Sequence, residues 1–266
     1  MKKIYATARQ FLVERIPSTD AEKILSSYLE LPDQSREPVG IDELFRRLLE
    51  SAQNANMKAG VIGESIGGFN NLGKALYSFN LKKTLEDFEA APDVLLDHIV
   101  KQLNPRGKIR KEPRSIWPKY CKTILSAAAF FNQFSSGEEF YEWANSLYSN
   151  KRSMPALPLI LAEEIEGIGY PLACDFLKEL GFIEYGKPDV HVIEIFVGIG
   201  LCQAKPSPYQ VQKVISKIAE AADVSSYNVD KLFWLIGSGK FYMHKKLGKN
   251  GYIGRMKEEF ISQFNA

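Results

Sequence analysis

The chain has 266 residues, 45% hydrophobic, 12% aromatic and 25% charged, with a formal net charge of +2. This is an ordinary globular composition, long enough for one large domain or for two lobes sharing a core. No apolar run approaches the ~20 residues that span a bilayer, and the opening MKKIYATARQFLVERIP lacks an apolar core of secretory length, so an intracellular protein without membrane contact is expected. Cys121, Cys174 and Cys202 are far apart in sequence, which excludes a disulfide framework and a four-cysteine iron–sulfur cluster.

Taken in chain order, helical spacing dominates. The spacing predicts helices near 20–30 and then over the stripe Leu44, Phe45, Leu48, Leu49, Ala52. Further helices are predicted near 82–90, 93–103, 117–132 and 137–148, separated by the breakers NPRG and SSGEE. LPLILAEEIEGIG reads as a helix running into a glycine turn, and Leu172, Ala173, Phe176, Leu177 and Leu180 as the stripe of the next. After YGKPD, Val192, Ile195, Phe196 and Ile199 mark another helix, and the last are predicted near 207–221, 227–236 and 253–264. No sustained alternation suggests a sheet, and no repeat is evident. The fold class read from this pattern is all-α with short loops.

Four features carry possible chemistry. Residues 101–122 hold eight Lys/Arg against one acid, Glu112, and residues 240–257 hold six and no acid. Either segment can bind phosphate although the whole chain is nearly neutral, or can be solvated loop charge. The turn Gly167-Ile168-Gly169 would aim backbone N–H groups outward at the start of a helix, where the dipole favours an anion, or would simply join two helices. Pro171 suits the first turn of that helix. Asp189 precedes an apolar helix and is an N-cap by position; the helix N-terminus should keep its carboxylate ionised, which also suits it to stabilise a cationic transition state. His191 and Glu194 share one helix face, but nothing supplies the third ligand of a zinc site. Trp117, Trp143, Trp234, Phe130, Phe131, Tyr141 and Phe241 are candidates for base stacking, although their helical spacing makes most of them core.

Four stretches, LFRRLLESAQNANM (44–57), EIEGIGYPLA (164–173), KPDVHV (187–192) and VDKLFWLIGSGKF (229–241), stand in the chain order of one family. Over residues 40–266 the sequence resembles the helix-hairpin-helix base-excision DNA glycosylases, the HhH-GPD superfamily. The resemblance implies two helical lobes with a DNA-binding groove between them: a central lobe of about 52–184, and a second lobe from the N-terminal segment plus 185–266. Residues 1–39 match no family motif and are expected to form a helical extension. It implies double-stranded DNA as partner, a monomer in the cytoplasm and nucleoid or the nucleus, and a base flipped out into a pocket. Asp189 would then support cleavage of the N-glycosidic bond through an oxocarbenium-like sugar. Gln53 would fill the gap left by the flipped base, or be a polar residue closing its helix. Gly167, Gly169 and Tyr170 would contact DNA at the hairpin, and Lys108, Arg110 and Lys111 along the backbone. The carbonyls of Glu163, Ile165 and Ile168 would hold a monovalent cation, with no other cofactor and no iron–sulfur cluster.

The departures matter equally. Members with lyase activity carry a Lys where this chain has Pro171, and that Lys forms a Schiff base. Lys178 lies two turns further on, about 10 Å away by helix rise, and is a poor replacement. Glu166 replaces the usual Pro before the hairpin glycine, and Glu194 stands where a basic residue is frequent. The sequence therefore reads as a monofunctional DNA glycosylase acting on a damaged, mispaired or unusual base. The alternative is a catalytically silent DNA-binding protein of the same fold.

Overall fold

The computed structural model describes residues 1–32, 38–53, 61–89 and 91–265. Among them the α-helices are α1 (Lys2–Arg15), α2 (Ala21–Leu29), α3 (Ile41–Ala52), α4 (Val61–Ser65), α5 (Leu81–Phe88), α6 (Pro92–Leu103), α7 (Ile116–Phe131), α8 (Gly137–Tyr148), α9 (Ala156–Glu164), α10 (Tyr170–Glu179), α11 (Val190–Gly198), α12 (Pro208–Ala222), α13 (Ser226–Ser238) and α14 (Lys257–Asn265). Short 3-10 turns span Phe69–Lys74 and Tyr77–Phe79. Among the described residues there is no strand, only isolated bridges from Tyr252 to Lys240 and Lys249, so the all-α expectation holds. None of these helices is long and apolar enough to cross a membrane.

The chain divides into two compact units, Met1–Ser35 with Leu177–Ala266, and Arg36–Phe176. The later change-over falls inside α10.

In the Arg36–Phe176 unit the organising element is α7. It is apolar almost all round, with Trp117, Tyr120, Cys121, Ile124, Ala127, Ala128 and Phe131 buried, and a helix of that kind has to be enclosed by others. The stripe Leu44, Phe45, Leu48, Leu49 of α3 packs against it, each residue fully buried. Tyr120 Oη donates to Leu49 O at 2.8 Å, tying the two helices at a buried point where an unpaired hydroxyl would be costly. The opposite face of α3 is polar, with Glu43 bonded to Arg46 and Arg47. Phe131, Phe140 and Phe176 form an aromatic cluster with Phe130, Phe134 and Trp143.

In the other unit α13 is central, with Val229, Leu232, Phe233, Leu235 and Ile236 buried against α11, α12, α1 and Phe260 of α14. Its start is set by Ser225, whose hydroxyl accepts from Asn228 N while Asn228 Oδ1 accepts from Ser225 N; Ser207 and Gln210 do the same for α12. Polar groups enter this core as partners. Lys178 Nζ and Asp230 Oδ2 lie 2.7 Å apart with side-chain exposures of 4% and 3%.

Removing one member of that pair takes a close counter-ion from the other buried charge. Asp230→Asn should cost about 3–5 kcal/mol of unfolding free energy, measured by urea denaturation. Lys178→Met combined with Asp230→Asn should recover a large part of the loss. Additive losses in the double variant would show that the pair is not coupled.

Candidate functional site

The glycine turn is built on α7. Between α9 and α10, Glu166 N donates to Ser126 Oγ at 3.0 Å, and the Glu166 carboxylate faces Lys122 Nζ at 3.7 Å. Gly167 has φ +83°, and a Cβ there would lie 2.4 Å from Thr123 Oγ1, so both its conformation and its contact require glycine. Leu172 N and Ala173 N both donate to Gly169 O, which opens α10. The amides of Gly167 and Gly169 have no partner among the described residues, and both residues are exposed. Pro171 is half-buried in the first helical turn, where its missing N–H leaves no helix bond unmade. Tyr170 is only 7% exposed, so a direct part for its side chain in DNA contact, as read from the sequence, is restricted by burial. Ile165 and Ile168 lie between α9 and α10; the carbonyl of Ile165 accepts one backbone hydrogen bond, from Ile168 N at 3.2 Å, which leaves a lone pair, and among the described residues no loop amide donates to that of Ile168.

Asp189 belongs to the other unit, at the end of a loop fixed from beneath. Gln212, 1% exposed, accepts from Gly186 N at 3.1 Å through Oε1 and donates to Glu184 O at 3.1 Å through Nε2. Tyr227 N donates to Ile183 O at 2.9 Å. Nothing in the sequence pattern singles out Gln212; its role appears only when both ends of one amide are seen to close on the same loop. Asp189 has extended backbone (φ −84°, ψ 178°) and caps α11, its Oδ1 accepting from His191 N at 2.9 Å and Val192 N at 3.1 Å. Its Oδ2 accepts no hydrogen bond among the described residues.

The sequence reading held that the helix N-terminus keeps this carboxyl ionised. Burial, reinforced by the negative charge of Asp230, nonetheless pushes its pKa up to about 6 against the opposing pull of the Val192 and His191 amides and of Lys187. The group is still mainly ionised at pH 7. His191 follows with its Nδ1 buried and without a hydrogen-bond partner, its ring against Gly237, and burial holds its pKa below the usual value. The carboxylate of Glu194 is bonded by Lys257 Nζ.

The basic segment 106–117 encloses a cavity of about 660 Å³ at the start of α7, lined by Val61, Ile62, Ser65 and residues that include Arg106, Lys108, Arg110, Arg114 and Trp117. Lys108 and Arg110 are exposed and have no carboxylate partner among the described residues, whereas Lys111 lies 2.5 Å from Asp97. Arg106 donates to Glu64 O at 2.7 Å. Of the early segment, residues 54–57 lie outside the described residues. Gln53 is 7% exposed at the end of α3, and its Oε1 accepts from Gly63 N at 3.2 Å. Of its two readings, the structure places it as a residue closing its helix; to enter a DNA stack it would have to leave that bond. Trp117, Phe130, Phe131 and Phe241 are core, while Tyr141, Trp143 and Trp234 are half-buried.

No family model matches the chain. An 8-oxoguanine DNA glycosylase/AP lyase of Korarchaeum cryptofilum is 23% identical over 86 residues, 30% of this chain, and the match spans only 41% of that relative's length. Among solved structures, the Methanocaldococcus jannaschii 8-oxoguanine DNA glycosylase superposes with a TM-score of 0.52 at 18% identity, over 87% of this chain and 94% of the other. The same organism's 8-oxoguanine glycosylase/lyase, in complex with a 15mer DNA containing 8-oxoguanine, gives 0.50 at 17% identity over 87% and 99%. Superposition over so much of both chains gives this chain the all-helical fold of these two 8-oxoguanine glycosylase structures.

Proposed function

We propose that the chain is a DNA glycosylase of base-excision repair that hydrolyses the N-glycosidic bond of a flipped-out base and stops at the abasic site. The observation that carries this reading is the state of Asp189. One carboxylate oxygen is fixed by two helix amides, the other accepts no bond, and the pKa of about 6 leaves the group anionic at neutral pH in a half-buried setting. A fixed negative charge of that kind stabilises a sugar that becomes cationic as the C1′–N bond breaks. The departing base keeps the bonding electrons and takes up a proton, and water adds to C1′. Gln212 holds the loop that presents Asp189, so the charge is in place before substrate arrives.

Double-stranded DNA is the partner this reading requires. The unengaged amides of Gly167 and Gly169 suit a backbone phosphate. Lys108 and Arg110 supply unpaired positive charge; Lys111 contributes less, since Asp97 already faces it. A monovalent cation held by the carbonyls of Glu163, Ile165 and Ile168 would add positive charge at the hairpin. No redox or organic cofactor enters the chemistry. The relatives' names include a lyase, yet Pro171 offers no amine: its nitrogen is an amide without hydrogen. The silent DNA-binding alternative draws on Pro171, Glu166 and Glu194, but both glutamates are neutralised locally, by Lys122 and Lys257. An oxidised guanine is the first base to test, given the relatives.

Asp189→Asn should lower single-turnover base release from an 8-oxoguanine duplex by about 10²–10³-fold or more, with duplex affinity retained. For the wild type, the release rate should rise with pH through about 6 as Asp189 loses its proton. A panel of other lesions, read by alkaline cleavage, covers the case of a different base. Wild-type rates from Asp189→Asn would remove Asp189 from the mechanism; no release from any lesion by the wild type would leave the silent reading.

The same substitution has a stability consequence of opposite sign. The folded pKa of about 6 exceeds that of an unfolded aspartate, so the folded state binds this proton more tightly. The contribution is fully present below about pH 4 and is lost as pH rises through about 6. Asparagine, also a good N-cap, escapes that loss, and Asp189→Asn should be more stable than wild type at pH 7 by about 2 kcal/mol, with little difference at pH 4. Chemical denaturation at the two pH values measures it; equal stability at both would show the carboxyl is not raised.

Borohydride reduces a Schiff base to a stable protein–DNA adduct. Wild type incubated with its substrate and borohydride should give no such adduct, because no amine stands at position 171. Efficient trapping would overturn the monofunctional reading and direct attention to Lys187.

A further inference from the structure

The stretch Gly239–Arg255, between α13 and α14, takes no part in the chemistry above. It has little regular structure, yet it is closed on itself. Phe241 N donates to Gly251 O at 2.6 Å, Ile253 N to Gly239 O at 3.0 Å, and Lys249 N to Tyr252 O at 3.0 Å. Met243 N donates to the hydroxyl of buried Tyr28 at 2.8 Å. Phe241 is fully buried and meets Tyr28 edge-on at 5.4 Å. Gly251 has φ +79°, and a Cβ there would lie 2.4 Å from Phe241 O, so the backbone closes where a side chain has no room. Side chains leaving this frame are held at fixed spacing.

What leaves it is positive. Lys240, Lys245, Lys246, Lys249 and Arg255 are all exposed, and none has a carboxylate within ion-pair distance among the described residues. No acid occurs anywhere in 240–257 to offset them. Two cations of the N-terminal helix of this unit are instead paired, Arg9 with Glu22 and Arg15 with Glu259. Five unpaired like charges on a rigid frame repel one another and gain nothing from the fold itself; a polyanion relieves the repulsion. Tyr242 and Tyr252 stand among them at 50% and 42% exposure, offering flat faces to sugars or bases. The only other large exposed apolar side chain here is Met243, and no exposed Leu, Ile, Phe or Trp is available to enter a lipid layer.

We propose that the Gly239–Arg255 loop is a second docking surface for the phosphodiester backbone of duplex DNA, additional to the cations at 106–114. The proposal rests on the reading that the chain binds DNA, but not on any base being released.

The test uses the full chain and a labelled, undamaged duplex, with affinity measured over a range of salt. Three proteins are compared: wild type, Lys245→Ser/Lys246→Ser/Lys249→Ser, and Lys108→Ser/Arg110→Ser. Lys245, Lys246 and Lys249 are exposed and make no ion pair, so the triple variant should melt with wild type. It should bind about tenfold more weakly or worse at low salt, and its log–log salt slope should fall by up to about 2.7, three contacts at about 0.9 each. The proposal is overturned if the triple variant keeps wild-type affinity and slope while Lys108→Ser/Arg110→Ser loses both. It is also overturned if wild type binds no duplex but binds phosphatidylserine vesicles in a manner that needs the three lysines, which would make the loop a membrane surface and remove the DNA reading with it.

Discussion

Two opposing effects act on the carboxylate of Asp189, and the functional reading depends on their balance. The amides of His191 and Val192 and the positive end of α11 favour the anion. Burial and the nearby charge of Asp230 disfavour it, and they prevail, raising the pKa to about 6. An exposed N-cap would be anionic but screened by water and weak as an electrostatic catalyst. A fully buried one without amide partners would be protonated and would carry no charge to offer. The observed compromise keeps the charge at neutral pH and keeps much of the water away. It requires the loop before α11 to be rigid, which is why a fully buried glutamine is spent on two backbone groups of residues 184–186.

The same division of labour is visible at the glycine turn. Its outer amides are left unengaged, while Ser126, Thr123 and Lys122 of α7 hold it from within its own unit. Backbone amides suit a partner recognised by its phosphates rather than its sequence, since phosphate contacts position and carry no base information. Pro171 then has a consistent place. The fold uses that position as the first turn of a helix, which proline suits, and in the proposed reading its lack of an amine closes the covalent branch of the chemistry.

Most of the helices were legible because their apolar periodicity is strong. The stripe on α3 is buried residue for residue, that on α11 except for Ile199 just past its end, and the expected helices near 93–103, 117–132 and 137–148 differ from α6, α7 and α8 by a residue or less at each end. α4 was missed: five residues are too few to show a period. The position of Asp189 as an N-cap and its ionised state could be read from its neighbours, but its raised pKa could not. The pKa is set by burial and by Asp230, forty-one residues away in sequence, neither of which local pattern reports. Gln53 was read as a DNA-facing residue or a helix end; its bond to Gly63 N, ten residues on, is a contact no local pattern reports. Gln212 was invisible for the same reason, since a polar residue on an amphipathic helix looks solvent-facing until its partners are seen.

Charge is the property for which the whole-chain number misleads most. A net charge of +2 suggests indifference to polyanions. The structure sorts the charges differently: Glu43, Glu166, Glu194 and Glu259 are each held by a local cation, whereas Lys108, Arg110 and the cations of the 240–255 loop are not. Since a local pair is nearly invisible beyond a Debye length of about 10 Å, the field a ligand meets beside 106–110 and 240–255 is set by these cations. An acid in the sequence therefore weakens a case for DNA binding only if it lacks its own cation. Glu166 and Glu194, the two residues that most favoured a silent protein when read alone, both have one.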